Sequence, residues 1–155
     1  DMGMFASIME LLETGYPKPK VKDLALYILS LEQDTQKKGV VVEICGDFFD
    51  GGEVKRFLLP LVKSENGVNR FHAENFLLDY FKNHDWIASD LRSMMYEDDI
   101  SNDRKSGILL LLGQMGDHYS IDLIRTFVKS DESWKREAAV RALSFSSDEK
   151  AVQAL

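Results

Sequence analysis

Leu112-Gly113-Gln114-Met115-Gly116-Asp117 closes one apolar helical run and opens another. The same event recurs about every 33 residues, at Cys45-Gly46-Asp47-Phe48-Phe49-Asp50, at Leu78-Asp79-Tyr80-Phe81-Lys82-Asn83 and at Leu143-Ser144-Phe145-Ser146-Ser147-Asp148. A repeat of this length made of two helices is the signature of an α-solenoid, in which each unit covers the apolar face its neighbour leaves open. The expected fold is therefore all-α: a right-handed α-α superhelix of about five two-helix repeats, the last one truncated.

Working outward, the second helices of three units align without gaps. Leu58 matches Leu91 and Ile124, Leu61 matches Met94 and Phe127, and Val62 matches Met95 and Val128, at a constant spacing of 33. The helix pairs fall at about 4–33, 36–64, 69–96, 101–130 and 133–155, read as one domain over residues 1–155. Phe5, Ile8, Met9 and Leu12 mark the first helix, which Gly15 stops. Pro17 and Pro19 bar helix until about Lys20. Val40-Val41-Val42 could be strand, but its continuation to Phe49 fits a buried helix in register with later repeats. Pro60 inside the fourth helix removes one backbone hydrogen bond and should bend it. Asp117 is placed to cap the eighth helix after Gly116 ends the seventh, and Ser133 to cap the ninth.

Bulk properties narrow the function. The chain has 155 residues, 45% of them apolar and 29% charged, which suits one ordered domain. The net charge of −7 runs opposite to that of proteins that hold DNA or RNA by their phosphates, and points to a partner with a basic face. Cys45 is the single cysteine, so no internal disulfide can form and a reducing cytoplasm is the simplest compartment. No signal-peptide pattern opens the chain, and the longest apolar run, Ile108–Leu112, is far too short to span a membrane.

The segment from Asp131 to Leu143, with Trp134, Arg136, Ala138, Ala139 and Ala142-Leu143, resembles a HEAT repeat, most closely the short bacterial HEAT-like form named after phycobilisome lyases. Asn102–Gly113 fits the same outline, with Arg104 early and Gly107 in the small position; Asn69-Arg70-Phe71-His72-Ala73 matches less well. The resemblance implies the superhelix. It also implies a ladder between units built from the early arginines, Arg104 and Arg136, with Asp99, Asp103 and Asp131. In such proteins the second helices line the concave side. Here that side would carry Arg56, Lys63, Arg92, Tyr96, Asp122, Arg125 and Lys129 as the candidate protein-binding strip.

No catalytic set accompanies this. His84 and His118 fall at equivalent inner turns with Asp85 and Asp117 beside them, which surface turn residues explain without a metal, and His72-Ala73-Glu74 lacks the adjacent, repeated His-Glu pairs of HEAT-like deoxyhypusine hydroxylases. No Ser/His/Asp set and no phosphate-binding glycine loop is present. The carboxylates Glu97, Asp98, Asp99 and Asp103 lack the alternation of a calcium loop. The expectation is a non-enzymatic adaptor or scaffold, without cofactor or metal, that binds another protein as a monomer or weak dimer; dimerisation through Ala151, Val152 and Leu155 would instead favour a structural piece of a longer repeat array. The competing expectation from the same resemblance is an enzyme: a HEAT-like DNA glycosylase or a phycobilin-lyase subunit.

Overall fold

The computed structural model describes residues 6–7, 10–11, 13–15, 17–31, 50–65 and 67–146. The apolar stripe of the expected first helix (Phe5, Ile8, Met9 and Leu12), all of the third with Val40–Val42 and Cys45, and the tenth lie outside the described residues. Among the described residues every regular element is helical and none is a strand. The chain divides into two compact units, Asp1–Phe76 and Leu77–Leu155.

In the first unit, α1 spans Lys18–Leu31. It starts earlier than its prolines suggested. Pro19 needs no donor in a first turn, and the Lys20 N–H reaches the Pro17 carbonyl at 2.9 Å. A second helical run is composite: α2 (Gly51–Glu53), a π-helical turn (Val54–Leu58) and α3 (Leu59–Val62). Asp50 caps it through a reciprocal box with Glu53, accepting from the Gly52 and Glu53 N–H groups while its own N–H donates to Glu53 at 2.8 Å. The π turn stands immediately before Leu59-Pro60, and the Leu59 N–H bonds to Val54 five residues back. A widened turn is how a helix accommodates a proline that would otherwise strike the carbonyl four residues earlier. Lys22 of α1 reaches Glu53 at 2.8 Å and ties the two runs together.

Next, α4 spans Gly67–Phe81, and the division between the units falls within it. In the second unit follow α5 (Asp85–Met94), α6 (Asn102–Met115), α7 (His118–Val128) and α8 (Ser133–Phe145). Ser101 caps α6 and Gly116 ends it in the left-handed region at φ 69°, its N–H on the Leu112 carbonyl. Asp117 caps α7, accepting from Tyr119 and Ser120 N–H. At α8 the residue in the capping position is Glu132, not Ser133, and its carboxylate turns instead to Trp134 and Lys135.

The burial pattern explains the order of packing. α6 carries apolar residues nearly all round, with Ile108, Leu109, Leu111, Leu112 and Met115 all buried, and it lies against α5, α7 and α8. α5 and α7 bury one side only. α8 presents Ala138, Ala139 and Ala142 to α6, and these small residues let the two backbones approach closely at Gly113. The equivalent positions Leu58, Leu91 and Ile124 are each 0% exposed. Burying each contributes about 1.5–3 kcal/mol. The N-cap positions Asp50, His84 and Asp117 stand 34 and 33 residues apart.

Candidate functional site

The exposed stripes of α5 and α7 carry the site. On α7, His118, Asp122, Arg125 and Lys129 follow at i, i+4, i+7 and i+11 and all are exposed. On α5 and the turn after it, Asp85, Ser89, Arg92 and Tyr96 follow with the same spacing, each 33 residues before its counterpart on α7.

Arg92 joins the two helices. Its Nη1 donates to both oxygens of Asp117, at 2.7 and 2.9 Å, and to the Ser120 hydroxyl oxygen at 3.1 Å. Ser120 is fully buried and donates its own hydroxyl to Asp117. One carboxylate thus caps α7, receives a guanidinium from α5 and satisfies a buried hydroxyl. The Arg92 guanidinium lies 5.5 Å from the centre of the Tyr119 ring. Tyr119 and Tyr96 are each 70% exposed. Tyr119 is therefore an accessible aromatic braced from beneath by a cation that is itself held in place. Beside it Asp122 stands 3.7 Å from His118 and 3.8 Å from Arg125.

The remaining strip residues sit elsewhere. Arg56 is exposed with its guanidinium 5.2 Å from the Phe57 ring, and Lys63 is half-buried; both belong to the first unit. Of the five strip residues in the second unit, Tyr96, Asp122, Arg125 and Lys129 face solvent, while Arg92 is committed to Asp117.

Arg70 and Arg136, each early in its helix, share a geometry that the sequence did not disclose. Arg136 Nη1 donates to the carbonyls of Ser130 and Asp131, both at 2.7 Å. Arg70 Nη1 donates to the carbonyls of Ser64 and Glu65, both at 3.0 Å. Each guanidinium reaches back six and five residues and gathers carbonyls from the turn that leads into its own helix. Arg104 is buried and pairs with its neighbour Asp103, while Asp99 lies exposed in the turn before α6. Asp131 thus meets Arg136 through its main chain.

Two further carboxylates are perturbed. Burial pushes Glu74 up from the ordinary carboxylate value, with Arg70 opposing it. Hydrogen bonds from Lys135 and then Trp134 hold Glu132 below that value. Among the described residues no three His, Cys, Asp or Glu side chains converge as metal ligands would, and no helix is long and apolar enough to cross a membrane.

Sequence reasoning missed Asp117, Ser120 and Tyr119 as parts of the site. Only the N-cap role of Asp117 had a local signal. Compared with known proteins, the chain matches no family model, no curated protein and no solved structure.

Proposed function

We propose that this chain is a non-enzymatic protein-interaction module built of HEAT-like two-helix repeats of the α-solenoid type, and that it binds a partner protein on the stripes of α5 and α7. The observation that carries this reading is Tyr119, wide open to solvent yet braced by Arg92, which Asp117 and Ser120 hold in turn. Tyrosine and arginine are the usual energetic anchors of interfaces. An anchor fixed before binding loses little conformational freedom on association, so more of its contact energy survives as affinity. The 33-residue recurrence of the stripe supports a surface that repeats along the chain and meets an extended partner.

The test is affinity capture with the wild-type chain, with Tyr96→Ala/Tyr119→Ala, and with Val140→Ala on α8 as a control away from the stripes. The proposal expects a defined partner retained by wild type and Val140→Ala and lost by the double tyrosine variant, whose helicity by circular dichroism stays unchanged. Equal capture by all three contradicts it. Salt-sensitive gel shifts of DNA at low ionic strength would instead support the glycosylase-type reading.

A further inference from the structure

A cavity of about 250 Å³ opens between the start of α6 and the first half of α8, on residues that the α5 and α7 stripes do not include. Its free charges are balanced. Glu137 and Arg141 both line it, four residues apart and so on one face of α8, yet they do not pair with each other. Asn102 lines it from α6. Among the described residues, neither the Asn102 amide, the Glu137 carboxylate nor the Arg141 guanidinium has a partner. The other charges nearby are engaged: Asp103 is paired with Arg104, and Lys135, 5.5 Å from the Trp134 ring, is paired with Glu132 and does not line the cavity. Trp134 and Ala138 make the apolar wall. The Trp134 ring is fixed there, its indole N–H donating to Glu132 at 2.8 Å and its plane edge-on to Phe127 at 6.5 Å.

We propose that this cavity binds a free α-amino acid as its zwitterion. The ligand ammonium goes to Glu137 and the Asn102 amide oxygen, its carboxylate goes to Arg141, and its side chain lies against Trp134 and Ala138. A simple cation would meet the Arg141 guanidinium, and a simple anion would meet the Glu137 carboxylate. A zwitterion satisfies both groups and brings no net charge to the site. The ammonium offers three donors and the guanidinium a planar fork that fits a carboxylate, so each end of the ligand is read by a different side chain. The volume lies below that of a drug-sized site and suits one amino acid with an apolar side chain. Two exposed ion pairs and one apolar contact correspond to a dissociation constant on the order of millimolar.

The experiment is an amide and indole NMR titration of the full chain at pH 7 with L-phenylalanine, with Nα-acetyl-L-phenylalanine, which lacks the ammonium, and with L-phenylalaninamide, which lacks the carboxylate. The Trp134 indole resonance is assigned with Trp134→Phe. Saturable shifts at Trp134, Glu137 and Arg141 are expected with phenylalanine, and about fivefold weaker binding of each single-charge analogue. Glu137→Gln should remove the advantage of phenylalanine over the acetylated compound, and Arg141→Gln its advantage over the amide. The proposal is overturned by the absence of saturable shifts with phenylalanine, by equal affinity for the three compounds, or by phenylalanine affinity unchanged in both variants. Both substituted positions are exposed, and an unchanged amide spectrum of each free variant shows that its fold is intact.

Discussion

Gly113 and Ala142 meet backbone to backbone: a methyl group on Gly113 would stand 2.4 Å from the Ala142 carbonyl oxygen. No flexible side chain is there to move aside, so α6 and α8 can lie this close only because position 113 has no Cβ. Two effects compete in Gly113→Ala. Helix propensity favours alanine by about 0.5–1 kcal/mol. Overpacking a rigid backbone contact costs about 1–3 kcal/mol. The clash should win, and urea denaturation should show the variant less stable than wild type. A variant more stable than wild type would mean that the helices are not in this contact.

Removing Asp117 strips three partners at once: the α7 cap, the Arg92 guanidinium and the buried Ser120 hydroxyl. A lost cap alone costs about 1 kcal/mol. With the orphaned polar groups added, Asp117→Ala should lose about 2–3 kcal/mol. A double-mutant cycle of Arg92→Ala with Asp117→Asn should return a coupling of about 1 kcal/mol, since the pair is only partly buried. Additive single-variant effects would show that the pair makes no net contribution.

Arg70 and Arg136 each gather two carbonyls at the same backward spacing. A lysine cannot reproduce the planar fork. Arg70→Lys and Arg136→Lys should each lose about 1 kcal/mol by thermal or urea unfolding, in similar amounts. A loss at one position only would show that the two are not equivalent parts of a repeat.

Glu74 and Glu132 predict opposite acid behaviour. The Glu74 carboxyl titrates above its ordinary 4.5 in the folded chain, so its ionised form opposes folding at neutral pH. Glu74→Gln should raise the melting temperature at pH 7, and the gain should vanish below pH 4.5, where both folded and unfolded states are protonated. Glu132 titrates below 4.5 when folded, so its bonds to Lys135 and Trp134 contribute above pH 4.5 and are lost as pH falls through the lower folded value. The Trp134 indole resonance should therefore shift with a midpoint under 4.5; a midpoint above it contradicts these bonds to Glu132.

The helices and their buried sides were legible because burial follows the 3.6-residue period. Ile87, Leu91, Met94 and Met95 all turn inward as their spacing required. Phe71, a large apolar residue on α4, does not follow: it is 62% exposed. Ser133 was the expected cap of α8, but Glu132 holds that position and its carboxylate bonds to Trp134 and Lys135 instead. Pro60 announced a disturbed helix, but not that a π turn would absorb it. The candidate stripe was legible in α5 and α7 through its 33-residue recurrence. The capture of Arg92 was not, because Asp117 lies 25 residues away and only the packing of α5 beside the start of α7 brings them together.

The binding account rests on Tyr96 and Tyr119, and photo-crosslinking probes them most directly. A benzoylphenylalanine replaces Tyr96, Tyr119 or, as a control, Val140 on α8 in the full chain. The account predicts an adduct with one and the same protein from positions 96 and 119 and none from 140. Adducts from 140 alone, or indistinguishable adducts from all three positions, would contradict it.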